Sequence, residues 1–192
     1  MIAIIKYNGG NVNSVQNAVR RLNADSIITD DFDIILNADK VIFPGVGEAS
    51  STMGNLKEKG LDLLIPSLRQ PVLGICLGMQ LMCGDNEEGN TAGMGIFDIN
   101  VKRFPAEDII PHMGWNTVSK LRSDIFSGIE ENSDVYFVHS YYCERSEFTT
   151  SVCDYILPFS ASLQKDNFYA MQFHPEKSGT VGSRLLENFL KL

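Results

Sequence analysis

The first half of the chain alternates short apolar runs with amphipathic segments, and this alternation restricts the fold more than any other feature. We predict strands over residues 2–5, 26–29, 41–43 and 72–75. The first amphipathic segment has apolar residues three and four positions apart, at Val15, Ala18, Val19 and Leu22. That spacing places them on one face of a helix, which Asn11 or Asn13 can cap. Strands joined by helices pair in parallel through right-handed crossovers, so the sequence predicts an α/β fold.

The second half of the chain is richer in strands. In the first half, Pro44-Gly45 is predicted to end the third strand. Helices are predicted over 51–68, with interruptions near Gly60 and Pro66, and over 77–83. Later strands are predicted over 96–103, 117–120, 134–139, 151–155, 159–164 and 168–173, before a last helix over 178–192. We therefore predict a mostly parallel central sheet flanked by helices, with antiparallel additions in the second half. Since no repeat or linker divides the sequence, we predict a single domain over 1–192.

The charge balance argues against two classes of partner. Asp and Glu total 24 against 16 Lys and Arg, a net charge of −8, which disfavours non-specific binding to nucleic acid or to an anionic membrane. The N-terminal run lacks a basic leader, and the longest uncharged stretch, residues 70–84, is too short to span a bilayer. We therefore expect a cytoplasmic protein.

The cysteines and histidines do not form a metal-binding pattern. None of the four cysteines forms a C-x-x-C pair, and the three histidines are not at zinc-finger spacing. We expect no metal and no cofactor. In a reducing cytosol Cys83, Cys143 and Cys153 are predicted to be small buried apolar side chains.

Cys76 has a different context, the sequence Gly74-Ile75-Cys76-Leu77-Gly78 between an apolar strand and a helix. This G-x-nucleophile-x-G pattern is typical of a tight turn that presents a nucleophile at the edge of a sheet. The flanking glycines permit the close backbone approach, the helix N-terminus favours a thiolate, and the N–H of Leu77 can bind an oxyanion. The alternative is a buried cysteine at the end of a strand.

Gln172-Phe173-His174-Pro175-Glu176 supplies the base that a cysteine nucleophile needs. His174 follows a predicted strand, and ligand sites of parallel sheets lie at carboxyl ends of strands. Pro175 favours extended backbone at His174, so Glu176 can reach the far nitrogen of the same imidazole. The alternative is an H-P-E turn facing solvent.

Four other segments are less specific. One of them, residues 43–47 (Phe-Pro-Gly-Val-Gly), follows a strand and can direct a second N–H, that of Val46, at an oxyanion. This segment lacks the GK[ST] of a phosphate-binding loop, and it can equally be an ordinary turn. The segment 111–116 holds Trp115, the single tryptophan, among Pro, His, Gly and Asn, which predicts an exposed loop that contacts a partner. Residues 139–142 end a predicted strand and can equally be a mere rim of polar and aromatic side chains, and residues 6–11 are predicted to form a Gly-rich turn.

Together these motifs resemble those of the class I (triad) glutamine amidotransferase family. P-G-V-G, G-I-C-L-G-M-Q and F-H-P-E occur in the order typical of that family and extend over most of the chain. The resemblance implies that Cys76, His174 and Glu176 are the catalytic triad of a glutaminase. It also implies oxyanion donors at Val46 and Leu77 and L-glutamine bound by Gly47, Gln80, Glu88, Ser140 and Tyr141.

Two further motifs narrow the resemblance: P-H-M-G-W-N at 111–116 and V-Y-F-V-H-S-Y at 135–141. They are similar to family members that form a heterodimer with a (β/α)8-barrel cyclase, which consumes the ammonia. The resemblance implies Asn11, Trp115 and Tyr136 as partner contacts. Lys6 departs from the family, which commonly has an acidic or small polar residue there, so no contact near the first turn is carried over.

Three alternatives remain open on the sequence. The chain could feed ammonia to a different acceptor, since the acceptor site lies on another chain. It could be a stand-alone cysteine hydrolase, which would need the elbow but not Gln80, Glu88 or the Trp115 segment. It could also be a non-catalytic binding module, although such a module has no need of Cys76, His174 and Glu176 together.

Overall fold

The computed structural model describes residues 1–7 and 11–192, so the centre of the Gly-rich turn predicted over 6–11 lies outside the described residues. The helices are α1 (Val12–Arg21), α2 (Phe32–Leu36), α3 (Ala49–Glu58), α4 (Leu61–Ser67), α5 (Leu77–Met82) and α6 (Gly179–Lys191). Short 3₁₀ helices cover Glu88–Asn90, Asp124–Phe126 and Pro175–Lys177. The strands are β1 (Ile2–Ile5), β2 (Ser26–Thr29), β3 (Lys40–Gly45), β4 (Val72–Cys76), β5 (Asp85–Asn86), β6 (Thr91–Ala92), β7 (Val101–Arg103), β8 (His112–Val118), β9 (Ser133–His139), β10 (Tyr141–Cys143), β11 (Thr149–Tyr155), β12 (Leu157–Lys165) and β13 (Phe168–Met171).

A seven-stranded sheet organises the molecule, in the order β11-β12-β13-β4-β3-β1-β2. The five strands from β13 to β2 pair in parallel, and β12 and β11 add antiparallel strands at one edge. The predicted fold class, a mostly parallel sheet with antiparallel additions, is confirmed. A four-stranded sheet (β10-β7-β5-β6) and the β8–β9 ribbon complete the architecture.

The central strands are apolar because both faces of the sheet are covered. Every residue of β1 and β4 is buried. Helix α1 packs through Val15, Ala18 and Val19, as its periodicity predicts. Asn11 is its N-cap residue, but its side chain makes no capping hydrogen bond. The carboxyl ends of β4, β3 and β13 lie side by side, and the loops that follow them form one edge of the sheet.

Strand β3 does not end before Pro44, as predicted, but continues to Gly45 with Pro44 opposite Ile75 of β4. Pairing with β1 stops at Ile42, and the carbonyl of Pro44 accepts a hydrogen bond from the Tyr7 hydroxyl at 2.7 Å. An N–H at position 44 would face the same side as this carbonyl, towards β1, where the pairing between β3 and β1 has already ended. The sheet therefore loses no hydrogen bond.

Other predicted elements were wrong in extent or kind. The helical stretch 51–68 breaks at Gly60 (φ +69), as predicted, but α4 continues through Pro66 to Ser67. Of the strand predicted over 96–103, β7 covers Val101–Arg103. The strand predicted over 117–120 and the exposed loop predicted over 111–116 are both replaced by β8, which pairs along its whole length with β9. This cross-strand pairing stabilises a segment whose Pro, His, Gly and Asn composition predicts a loop.

Candidate active site

Cys76 lies at the tight turn between β4 and α5. Its backbone has φ +53 and ψ −111, a conformation that L-residues rarely adopt and that recurs at functional sites. The side chain is 7% exposed and lies at the carboxyl edge of the sheet. The turn therefore presents the thiol on the side where the loops after β3 and β13 also end.

Two glycines allow the turn to pack against β3. A Cβ on Gly78 would lie 2.1 Å from the carbonyl oxygen of Phe43, and a Cβ on Gly45 would lie 2.4 Å from the backbone nitrogen of Gly78. Both distances are far below van der Waals contact with rigid backbone atoms. Glycine is therefore required at both positions to hold the start of α5 against the end of β3.

His174 and Glu176 form a buried pair after β13. Nδ1 of His174 lies 2.8 Å from Oε1 of Glu176, and each side chain is 1% exposed. The backbone of His174 is fixed to β9, because its N–H donates to the Tyr136 carbonyl at 2.9 Å. Its carbonyl accepts from the Ser178 hydroxyl at 2.6 Å, and that hydroxyl accepts from the N–H of Tyr136. The imidazole is thus held from both its ring and its backbone.

The protonation of His174 follows from its neighbours. Burial lowers the pKa of His174, but the interactions with Cys76 and Glu176 outweigh burial and raise the pKa to about 10. At neutral pH the imidazole carries a proton, and Nε2 has no hydrogen-bond partner among the described residues. The site is therefore suited to hold His174 as an imidazolium.

A cavity of about 330 Å³ opens at this edge of the sheet. It is lined by Val46, Gly47, Cys76, Leu77, Gln80, Glu88, Pro111, Val138, His139, Ser140, Tyr141 and His174. The sequence analysis assigns ten residues to catalysis, to the oxyanion or to glutamine binding. Nine of them line this cavity, and the tenth, Glu176, is hydrogen-bonded to the imidazole of His174, which lines it. The volume is at the small end of the range for ligand sites, which suits a small polar substrate.

Two polar residues of the cavity, Glu88 and Gln80, already make side-chain hydrogen bonds within the protein. Oε2 of Glu88 accepts the N–H of Ala49 at the start of α3, and burial raises the pKa of Glu88. Nε2 of Gln80 donates to the Tyr141 carbonyl and to Oε1 of Gln172, each at 3.0 Å. Each residue therefore has one side-chain oxygen left, Oε1, to meet a ligand.

The sequence analysis assigned no catalytic, oxyanion or glutamine-binding role to four residues at the site: Pro111, Val138, His139 and Gln172. Three of them line the cavity, and Gln172 lies behind it with its amide on the Cys76 sulfur. The local signal for Gln172 was its place two residues before His174, in the same motif. Val138 and Pro111 lie within the motifs at 135–141 and 111–116, but nothing in those motifs places the end of β9 and the residue before β8 at the cavity.

His112 and His139 form a second buried group beside the cavity. Nδ1 of His139 lies 2.7 Å from the Tyr141 carbonyl and must donate to it, so Nε2 of His139 accepts from Nδ1 of His112 at 3.0 Å. Nε2 of His112 then accepts from the Asn116 amide at 3.2 Å. The hydrogen bonds thus define both tautomers, and both rings are neutral. Burial lowers the pKa of His112 to about 4. Burial is also the main reason that the pKa of His139 is lowered to about 3.

These two imidazoles should make the fold sensitive to acid. Their folded pKa values lie below the unfolded value of about 6.5, so between about pH 6.5 and pH 4 the unfolded chain binds more protons. The free energy of unfolding should fall by up to about 1.4 kcal/mol per pH unit for each. His174 acts in the opposite direction: its stabilisation is full below pH 6.5 and is lost only as pH rises towards 10. Urea unfolding at pH 7, 6 and 5 measures the slope. His112→Gln should reduce it by about half, and an unchanged slope would contradict this assignment.

The predicted partner contacts are placed on the surface, although not in a loop. Trp115 and Tyr136 are cross-strand neighbours in the β8–β9 ribbon, with ring centroids 5.9 Å apart, and Trp115 is 58% exposed. Lys177 Nζ lies 5.9 Å from the centroid of the Tyr136 ring. Asn11 lies at the start of α1.

Two other kinds of feature were sought in the described ranges, residues 1–7 and 11–192. No helix there has the length and apolar character needed to cross a membrane. No group of three or more His, Cys, Asp or Glu side chains there is arranged to hold a metal ion.

Comparison with known proteins agrees with the fold. The family model described as Glutamine amidotransferase class-I matches residues 3–192. The chain therefore belongs to the class-I glutamine amidotransferase family and is a glutamine amidotransferase. Within that family it is 60% identical over 194 residues to the imidazole glycerol phosphate synthase subunit HisH of Bacteroides fragilis (strain YCH46), covering 100% of this chain and 99% of that protein.

Other relatives extend this similarity. The HisH subunit of Bacteroides thetaiotaomicron is 58% identical and that of Shigella flexneri 44% identical, each over 194 residues, 100% of this chain and 99% of the relative. Among solved structures, a glutamine amidotransferase matches with a TM-score of 0.74 and 18% identity over 99% of this chain and 97% of that one. A glutamine amidotransferase from Thermotoga maritima matches with a TM-score of 0.63 and 18% identity, over 99% and 82%. These structural matches support the fold.

Proposed function

We propose that this protein acts as the glutaminase subunit of imidazole glycerol phosphate synthase in histidine biosynthesis. It hydrolyses L-glutamine to glutamate and ammonia, and the ammonia passes to a (β/α)8-barrel cyclase with which the chain forms a heterodimer. The cyclase uses it to make imidazole glycerol phosphate and an aminoimidazole carboxamide ribotide. The observation that carries the proposal is the buried His174–Glu176 pair sharing one cavity with Cys76. The full-length similarity to HisH proteins supports the choice of acceptor.

The chemistry follows from the protonation states of the site. The Cys76 thiolate attacks the side-chain amide carbon of glutamine and forms a tetrahedral oxyanion. His174 gives its proton to the leaving nitrogen, so ammonia departs and a thioester remains. His174, now neutral, takes a proton from water, and the resulting attack releases glutamate and the thiolate. Glu176 keeps the imidazole oriented and balances its charge throughout.

The oxyanion is bound by backbone N–H groups of Leu77 and Val46. Leu77 begins α5 directly after the nucleophile, and both residues line the cavity. Gly47 has φ +113, in a region that favours glycine, with open space where a Cβ would be. The Val46 N–H belongs to the Gly45–Val46 peptide, and we propose that rotation of this peptide, which reorients that N–H, is the step that completes the oxyanion site.

Glutamine is held at the opposite end of the cavity. The free oxygens of Glu88 and Gln80 accept from the substrate ammonium, and the charged Glu88 provides most of the attraction. Backbone groups of Gly47, Ser140 and Tyr141 bind its other polar atoms. The substrate amide then lies towards Cys76.

The partner covers the outer face of the β8–β9 ribbon. Met113 and Trp115 are exposed there, opposite Val138 and Tyr136 on the neighbouring strand. Val138 also lines the cavity, so this apolar face borders the place where ammonia forms. A partner on this face, with further contact at Asn11, would take up ammonia before bulk water protonates it. Trp115, a large exposed aromatic, is the expected anchor.

Partner binding should activate glutamine hydrolysis. We expect weak glutaminase activity from the chain alone and an increase of tenfold or more when the barrel cyclase and its ligand are added. Trp115→Ala should weaken binding of the cyclase by about 30-fold or more, as truncation of an interface anchor does, while the activity of the chain alone stays within twofold. Glutamate release and co-purification measure both effects. Equal turnover with and without the cyclase would contradict the coupling.

Two further parts of the proposal concern organisation and location. We propose that residues 1–192 form one glutamine amidotransferase domain, which the family match over 3–192 supports. We propose a cytoplasmic location, where the substrates of amino-acid biosynthesis and a reduced Cys76 are available.

A further inference from the structure

Gln172 lies directly beside the Cys76 sulfur. Strands β13 and β4 are paired up to Met171 and Ile75, so the next residues of each strand, Gln172 and Cys76, are neighbours. Gln172 is 0% exposed, and its Nε2 lies 3.7 Å from Sγ of Cys76, a length that the large radius of sulfur allows. A fully buried amide at this position requires hydrogen-bond partners for both of its ends.

The orientation of the Gln172 amide is fixed by a chain of hydrogen bonds. The Tyr141 carbonyl can only accept, so the atom of Gln80 that contacts it must be the amide nitrogen. The second N–H of that nitrogen donates to Gln172, so the contacting atom of Gln172 must be its oxygen. The amide nitrogen of Gln172 is therefore the end that faces sulfur.

The sulfur lies between two groups with opposite preferences. The Val138 carbonyl, 3.8 Å away, accepts a hydrogen bond from the neutral thiol and repels a thiolate. The Gln172 N–H donates, and a thiolate accepts a hydrogen bond much more strongly than a thiol. The Gln172 contact therefore favours the form of sulfur that is the nucleophile.

We propose that Gln172 is a further catalytic residue, whose amide N–H stabilises the Cys76 thiolate and holds its sulfur in the attacking position. Gln80 and the Tyr141 carbonyl position that amide. The proposal rests on Cys76 being the nucleophile of the proposed function. Other titratable groups near the sulfur, His174 with Glu176 behind it, Tyr7 and Glu88 across the cavity, remain unchanged in the variants below.

Two substitutions separate this role from a structural one. Gln172→Met keeps the length of the side chain and removes the donor. Gln172→Glu keeps an acceptor for Gln80 and places a carboxylate oxygen on the sulfur. The readout is the pH midpoint of Cys76 alkylation by iodoacetamide, followed by peptide mass spectrometry from pH 5 to 10. This midpoint should rise by about one pH unit in Gln172→Met, which corresponds to a tenfold loss of thiolate, and should rise further in Gln172→Glu.

Glutamine turnover gives the second readout. In the complex with the cyclase, Gln172→Met should lower kcat about tenfold at pH 7.5 and leave KM within twofold, because the lost contact is to the nucleophile. Gln164→Met, a glutamine of β12 paired with Tyr169 and outside this network, is the matched control and should leave both readouts unchanged.

The results distinguish this proposal from the proposed function. Alkylation midpoints of both variants equal to that of the parent, in folded protein, would overturn the role of Gln172 even if Cys76 is the nucleophile. If the methionine variant fails to fold, the glutamate variant decides. Glutaminase activity that survives loss of Cys76 would overturn the proposed function, whereas the alkylation midpoints would still report on the Gln172 contact.

Discussion

Replacing Cys76 by serine should lower glutamine hydrolysis by three to four orders of magnitude, the loss typical of removing a triad nucleophile. The serine hydroxyl has almost the same shape as the thiol, so the turn between β4 and α5 should be retained. A hydroxyl, however, is far harder to deprotonate than a thiol, and His174 beside it would no longer face a thiolate. Glutamate release in the complex with the cyclase measures the loss.

The controls for Cys76→Ser separate chemistry from assembly. Added ammonium salt should support the cyclase reaction of the variant complex at the rate of the parent, because the second active site lies on the partner. Cys153→Ser tests a second buried thiol, one whose pKa burial raises to about 12 and which lies outside the cavity. It should keep glutaminase activity within twofold. Glutamine turnover by Cys76→Ser above one per cent of the parent would contradict the nucleophilic role.

The elements that the sequence predicted well are those whose signal is local. The strands β1 and β2 were predicted with the bounds that the structure has, and β4 to within one residue. The short apolar runs of β1 and β4 have few other ways to be buried, and β2 is rich in β-branched residues. The motif around Cys76 was equally readable. Glycine at position 78 reflects a close backbone approach that no other residue permits.

The β8–β9 ribbon shows where local reading fails. The composition of residues 111–116 predicts a loop, yet His112 is buried and bonded to His139 across the ribbon. The imidazole of His112 lies between the rings of Tyr155 and Phe137, with centroids 4.0 and 4.7 Å away. These partners come from β9 and β11. Long-range pairing therefore decides the structure of this segment, and no window of sequence contains it.

The features of the active site also divide into those that the sequence predicted and those that it did not. The cavity residues come from the ends of β4 and β9, from the segments after β3, β4, β9 and β13, from the 3₁₀ helix at Glu88 and from Pro111 before β8, and most of them lie in motifs visible in the sequence. Of the hydrogen bonds that orient them, the one between His174 and Glu176 was predicted, and those of Gln80 were not. Gln80 was expected to bind substrate, but both of its N–H groups are used inside the protein. Buried polar networks of this kind depend on which strands become neighbours, and that is a property of the topology.

A methyl group on Gly78 should prevent the active-site turn from forming. In Gly78→Ala the added Cβ would lie 2.1 Å from the Phe43 carbonyl oxygen, with Phe43 held in β3 at the centre of the sheet. Phe43 cannot move without disturbing its pairing with Gly74 of β4, and Gly78 is tied to the turn that follows Cys76. We expect the free energy of unfolding to fall by about 4 kcal/mol or more, at the upper end of single substitutions. Urea unfolding followed by circular dichroism measures it.

Gly54→Ala is the matched control, since Gly54 also lies inside a helix, α3, but has nothing within 4 Å of the added Cβ. Alanine is the better helix former there, so this variant should gain about 0.5–1 kcal/mol. The same chemical change is thus expected to have opposite signs at two helical positions, and the difference isolates the steric contact with β3. A loss of less than about 1 kcal/mol in Gly78→Ala, well below the range for severe steric overlap, would mean that α5 can move away from β3. The close packing described for the turn would then not be what positions Cys76.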